Sequence, residues 1–250
     1  MVGEEFLDQP MPEYAQKLTG QALVDYINEH QSLYKAEYSP EAEAFTKARI
    51  MDLSFLESPE EKESSPNVDH GETLLDHDED IELPDSFDAR QHWPECKSIG
   101  IIRDQSKCDA REVTRSRHTA GWSEKGSALA DDIGRRMLTM NLAKKSYFLP
   151  NNETLIRREI FKNGPVVAGF RVYIDFSFYR GGIYKNNGGI PLGAHAVKVI
   201  GWGREKNANY WLIANSWNSD WGENGYFRMA RGINNCGIEE RMVGGLMKIE

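Results

Sequence analysis

Cysteine is scarce: the chain has three, Cys96, Cys108 and Cys236. An odd number leaves at least one thiol unpaired and excludes a scaffold closed throughout by disulfides. The plain reading is of structural thiols, buried or unpaired in a reducing compartment. Positive charge is short as well, with 30 Lys and Arg against 39 Asp and Glu, a formal net charge of -9. Such a balance gives no basic face for a phosphate backbone and argues against nucleic-acid binding. Long apolar runs are missing, and none approaches the ~20 residues that cross a membrane. The opening Met-Val-Gly-Glu-Glu-Phe-Leu-Asp has neither a basic start nor an apolar stretch, so no signal peptide is visible. Taken literally, that predicts a cytoplasmic chain. What remains is ordinary: 40% hydrophobic and 28% charged residues over 250 positions, enough for one or two domains.

Residues 19–56 read as two helices. Leu23, Tyr26, Ile27 and His30 fall on one face of the first. Ser39-Pro40-Glu41 starts the second, with a capping hydroxyl, a proline in the first turn and an acid near the positive end of the dipole. Phe45, Ala48, Arg49 and Asp52 then follow helical spacing. Residues 57–82 hold eleven acids against a single Lys62 and no aromatic ring. That stretch buries too little apolar area to offset its ordering entropy and reads as a flexible acidic linker, an acidic docking site being the alternative.

Beyond it, Pro84, Asp85 and Asp88 suggest turns, and Ile99–Gln105 a short strand running into a loop. Residues 111–145 are the odd stretch. They are basic and polar from Arg111 to His118, then carry Leu129, Ile133, Met137 and Met140 at helical spacing, which core packing alone explains. Asn152 can cap a helix bearing Leu155, Ile156 and Ile160, stopped by Asn163-Gly164-Pro165. Val166 to Phe178 is apolar and aromatic. Short β-like runs around 195–201, 209–214 and 225–230 follow, punctuated by glycines. The pattern predicts an α+β fold with a compact, mostly antiparallel sheet or barrel.

Two motifs carry chemistry. Gly193-Ala-His-Ala-Val-Lys-Val-Ile-Gly-Trp-Gly203 supplies His195, and Ala214-Asn-Ser-Trp-Asn-Ser-Asp-Trp-Gly222 supplies Asn215. These are half of a Cys–His–Asn arrangement, in which a thiol attacks a carbonyl, an imidazole holds its proton and an amide orients the imidazole.

With these motifs, Leu83-Pro-Asp-Ser-Phe-Asp-Ala-Arg90, Trp93-Pro-Glu-Cys96, Ile102-Arg-Asp-Gln105, Lys162-Asn-Gly-Pro-Val166 and Asn235-Cys-Gly-Ile-Glu239 run in one order. In that order the chain resembles the papain-like cysteine peptidases, most closely the cathepsin B group. A lone histidine between two alanines would otherwise read as a core residue. The resemblance implies a truncated papain-like fold that keeps the β-barrel-like half, preceded by a helical prosegment. Its domains would be a prosegment-like region at 1–56, the acidic linker at 57–82 and a peptidase domain at 83–250, with 111–145 replacing most of the helical half.

The same resemblance implies roles. His195 matches the general base, Asn215 the amide that orients it, Trp217 the ring that shields the pair from water, and Gln105 the oxyanion-hole donor. The nucleophile does not carry over. Arg111 stands at its position, and a guanidinium cannot be deprotonated in a protein. Cys108 matches a disulfide cysteine three positions short of that place, and Cys236 a cysteine with no catalytic role. Arg241 stands where the group has a specificity-pocket acid, so a preference for arginine would be lost or reversed toward acids. The glycine pair, the occluding loop and the disulfide partners of Cys96 and Cys108 have no match, each lost bridge being worth about 2–4 kcal/mol.

The expected function is therefore a cysteine-type peptidase homologue that is catalytically silent. The alternatives are a prosegment-type inhibitor or binding module acting on an active relative, and residual thiol peptidase activity through Cys108. Substrates would be peptides or proteins, with no cofactor, metal, nucleic acid or membrane. The group lives in lysosomes or outside cells, where Asn152-Glu-Thr154 would be a glycosylation sequon; without a signal peptide it reads as a chance occurrence.

Overall fold

In the computed structural model, which describes residues 12–56, 69–70, 81–106 and 143–247, a single mixed sheet carries the site. Its strands are β1 (Tyr34–Ala36), β2 (Asp69–His70), β3 (Phe87–Asp88), β4 (Ala143–Phe148), β5 (Val166–Tyr173), β6 (Tyr179–Tyr184), β7 (Pro191–Glu205), β8 (Ala208–Ala214), β9 (Tyr226–Ala230) and β10 (Met242–Met247). They run in the order β1-β6-β9-β8-β7-β5-β10-β4-β2, with β3 paired to β7. Every pairing is antiparallel except β6 with β9 and β2 with β4. The sheet is not closed, so of the two expected forms, sheet or barrel, it is the mostly antiparallel sheet. Its terminal strands are three and two residues long, too few hydrogen bonds to bridge the two ends.

The helices are α1 (Gly20–His30), α2 (Pro40–Lys47), α3 (Ala89–His92) and α4 (Glu153–Asn163). The last follows its sequence signals. Asn152 accepts from the backbone N–H groups of Thr154 and Leu155, at 3.0 and 3.1 Å, and Gly164 ends the helix at φ 101°. Between α4 and β7, β5 is buried at Val166, Ala168, Gly169, Phe170 and Val172 and half-buried at Val167, Arg171 and Tyr173.

Four local expectations are corrected. The first helix buries Leu23, Val24 and Ile27, whereas Tyr26 and His30 stack on each other outside, with centroids 4.2 Å apart. The Ser39 hydroxyl donates to the Glu41 carboxylate (2.6 Å), a charge-assisted bond that fixes its rotamer, and its oxygen accepts no backbone N–H of the helix. Asp52 is not helical. The helix stops at Lys47, and the chain turns extended so that Met51 can pair with Ala194. Ile99–Gln105 forms no strand: the Lys198 amine takes the carbonyls of Ser98 and Ile99 at 3.1 and 2.9 Å, and only Asp104 bridges, to Trp217. Within the acidic linker, Asp69–His70 lies as a short parallel strand against Tyr147 and Phe148, and the rest of 57–80 is outside the described residues.

The core is aromatic. Phe170, Phe176, Tyr179, Tyr184, Trp217 and Phe227 are fully buried beneath the sheet, in mutual edge and stacked contacts. Rings that large dominate burial energetics and fix their neighbours' positions. His195 and Asn215 stand at the rim of this cluster.

Candidate active site

His195 lies within β7 opposite Phe170 of β5. Asn215 is the first residue past β8, whose last residue, Ala214, pairs with Lys198. That antiparallel register returns residue 215 to the histidine. Asn215 Oδ1 lies 2.8 Å from His195 Nε2 and also accepts from the Ser216 backbone N–H at 2.8 Å. A carbonyl oxygen only accepts, so Nε2 carries the proton and the lone pair is left on Nδ1. Trp217 covers the pair, its ring stacked on the imidazole with centroids 4.7 Å apart. All three residues are buried.

Burial pushes the imidazole down to about 4, and its hydrogen bond to Asn215 opposes that only partly. The ring is therefore a neutral base whose lone pair sits on Nδ1. Among the described residues, Asn215 Nδ2 and Trp217 Nε1 are buried with no partner. Each such donor costs about 1–3 kcal/mol and is the kind of strain retained where a site needs its geometry.

Gln105 joins the same group. Its backbone N–H bonds Ser216 O (2.9 Å), and its side-chain oxygen accepts from the Ser216 hydroxyl (2.5 Å). That fixes the amide so that Nε2 points out and donates to Arg49 O at 2.7 Å. A donor so placed can steady charge on a carbonyl oxygen. Here the carbonyl belongs to the chain itself.

Sequence reading missed how residues 45–51 cover the site. Phe45 meets the Trp217 ring edge-on at 6.0 Å, the Arg49 guanidinium sits 3.5 Å over Phe45, and Met51 exchanges two 2.8 Å backbone bonds with Ala194. The close approach requires Gly193, where an added Cβ would stand 2.3 Å from Met51 O. Small residues just before the histidine were the available signal.

A second buried cluster was also missed, and it anchors β1. Asp175 accepts from Tyr184 Oη (2.7 Å), Asn187 N (2.8 Å) and Asn186 Nδ2 (3.2 Å). Tyr34 of β1 reaches the same carboxylate at 3.5 Å and accepts from Asn187 Nδ2 at 3.2 Å. Burial raises Asp175 to about 6 against these hydrogen bonds.

The remaining predicted residues fall apart from this group. Arg241 is half-buried in the turn before β10, near Glu240 and Arg171. Cys96 is exposed beside Ser98, and the Cys236 sulfur is enclosed near Asp175 and Tyr184, where burial keeps it protonated. Cys108, Arg111 and the predicted helix within 111–145 lie outside the described residues.

Comparison with known proteins agrees with the geometry. A family profile described as Papain family cysteine protease matches residues 124–246. The chain is 32% identical to cathepsin B-like cysteine proteinase 1 of Ostertagia ostertagi, over 95% of this chain and 92% of that protein. That alignment runs 322 positions, so at least 72 of them have no residue in a chain of 250. A gut-specific cysteine proteinase of Caenorhabditis elegans is also 32% identical, over 93% of this chain and 92% of that protein. Cathepsin B-like cysteine proteinase 3 of Ostertagia ostertagi reaches 60% identity over 107 residues, 43% of this chain and 62% of that protein. Among solved structures, procathepsin B S9 from Trypanosoma congolense superposes with a TM-score of 0.69 at 26% identity, covering 94% of this chain and 100% of that one.

Proposed function

Since the chain belongs to the cathepsin B-like group of papain-family cysteine proteases, we propose that it keeps the base and orienting amide of a peptidase but cannot open a peptide bond. One observation carries this reading: His195 is buried and held by Asn215, and among the described residues no thiol bonds it. Thiol peptidase chemistry begins when sulfur attacks the carbonyl carbon and the imidazole takes its proton, later returned to the leaving amine. Arg111, at the expected nucleophile position, can perform neither act. In this reading His195 is an idle general base, Asn215 orients it, Trp217 excludes water and Gln105 is the oxyanion donor.

Residues 1–56 then act as a prosegment, with residues 45–51 over the site, residues 57–82 as a tether, and 83–250 as the shortened peptidase domain. The ligands are peptides or proteins, and family membership assigns a lysosomal or extracellular setting. A fluorogenic peptide amide is expected to release no dye above buffer, both with the chain and with Gly193→Ala, which pushes Met51 off Ala194. Release that disappears on His195→Ala would overturn the reading.

The hold of residues 45–51 on Gln105, Ala194 and Trp217 favours a second role, as a binding module that presents this segment to an active relative. The full chain at micromolar concentration should then inhibit an active cathepsin B-like peptidase, and full activity in its presence removes this role.

A further inference from the structure

The N-terminal segment closes over a buried acid whose donors are all uncharged. Asp175 stands in the short 3-10 turn Ile174–Phe178 between β5 and β6, and it is fully buried. Tyr34 of β1 reaches its carboxylate from the segment. Three backbone bonds join the segment to the same region. Glu37 N–H donates to Phe178 O at 2.9 Å, Ile183 N–H to Leu33 O at 2.8 Å and Gly189 N–H to Ala15 O at 3.3 Å. The fit is close: a Cβ on Gly188 would stand 2.5 Å from Ala15 O.

The donors to the carboxylate are the Tyr34 and Tyr184 hydroxyls, the Asn186 amide and the backbone of Phe176 and Asn187. The titratable groups facing it are neutral too. Burial keeps the Tyr34 and Tyr184 hydroxyls and the Cys236 thiol protonated, and Arg171 of β5 bears on that thiol. Lys185, in the connection after β6, contributes its carbonyl, which accepts from Asn187 Nδ2 at 2.7 Å. From the segment, α1 buries Leu23, Val24 and Ile27 and α2 buries Thr46, none of them charged, while Lys35 of β1 is exposed. A carboxylate in such surroundings has lost its hydration and gained no opposite charge, so the neutral acid is favoured. Lifting the segment away returns water to one side and restores the charge.

We propose that the N-terminal segment docks with uptake of one proton by Asp175, so that β1 is held more tightly in acid than at neutral pH. The proton comes from solvent and returns to it on release, and the carboxyl O–H is the one bond formed and broken. Acid thus keeps residues 45–51 over His195, and neutral pH frees them. That they are then offered to an active relative rests on the binding-module reading; the coupling itself does not.

Hydrogen exchange on the full chain tests this, read by NMR at pH 4, 5 and 6. Dividing each rate by that of an unstructured chain leaves the opening equilibrium. The reporters are the Ile183 and Glu37 N–H groups, whose bonds cross between the segment and the body. Their opening constants are expected to fall about tenfold from pH 6 to pH 4. Amides of the β7–β8 ladder should change little, since they open only with the whole fold, where His195 and Asp175 oppose each other. Asp175→Asn should abolish the fall, and Tyr34→Phe, which keeps the burial, should retain most of it. Constants that do not change with pH, or a fall that survives Asp175→Asn, would overturn the proposal. Should Asp175→Asn not fold, carbon NMR follows the carboxyl itself in the chain and in Gly182→Ala, where an added Cβ meets Leu33 O at 2.3 Å and pushes β1 off β6. It is expected to titrate at about 6 in the first and closer to the ordinary 3.8 in the second, and identical titrations would also overturn the proposal. Failure to inhibit a relative would end the binding-module reading and leave this coupling standing.

Discussion

Alanine at Gly182 will release the N-terminal segment from the site. Gly182 lies at φ 103°, and a Cβ there would stand 2.3 Å from Leu33 O and 2.6 Å from Tyr34 Cα. Backbone strain in such a region costs about 1–3 kcal/mol, and the collision with another strand's backbone adds to it. The cheapest relief is for β1 to leave β6, since β1 is a three-residue edge strand with an irregular register. Tyr34 then loses Asp175, and the run from Tyr38 to Met51 loses its anchor. His195 is the reporter. As water reaches it, its titration should move from about 4 toward the ordinary 6.5, followed by NMR of the ring protons. Gly193→Ala should do the same from the other end, its Cβ meeting Met51 O at 2.3 Å without a strained φ. An imidazole that still titrates near 4 in both variants would mean that residues 45–51 do not shield it.

Removing His195 and removing Asp175 should tilt stability against pH in opposite directions. The folded chain holds His195 at about 4 against an ordinary 6.5. Below pH 6.5 the unfolded chain binds that proton first, so this contribution is present above pH 6.5 and lost as pH falls toward 4. Asp175 is held at about 6 against 3.8. Its folded form keeps the proton longer, so its contribution is present below pH 3.8 and lost as pH rises to about 6. Each group is fully buried, and each shift corresponds to about 3 kcal/mol. Between pH 4 and 6 the two nearly cancel. Relative to the unaltered chain, His195→Gln should lose stability as pH rises through this window, and Asp175→Asn should gain it. Urea unfolding at pH 4, 5 and 6 reads both slopes, and slopes of the same sign would contradict the assignment.

How much of this was legible in the sequence depends on how local each signal is. Asn152 and Gly164 mark α4 because a cap and a positive φ are decided within four residues. His195 and Asn215 were legible through ordered motifs, and the structure joins them at 2.8 Å. Asp52 was misassigned to a helix because Met51 pairs with Ala194, more than 140 positions away, and tertiary pairing overrides helical spacing. The mostly antiparallel sheet was legible, but not that it stays open, since alternation identifies strands and not whether the edge strands meet. Asp175 was invisible because its partners, Tyr34, Tyr184 and Asn187, come from separate elements.

The most direct test is intact-mass analysis after exposure to a peptidyl warhead that alkylates active-site thiols irreversibly, run on the chain and on Gly182→Ala. In the proposed reading no sulfur hands its proton to the imidazole, so the expected spectrum shows no adduct that depends on His195, any stray alkylation of exposed Cys96 being equal in His195→Ala. A stoichiometric adduct on Cys108 or any other side chain, abolished by His195→Ala, would contradict the account.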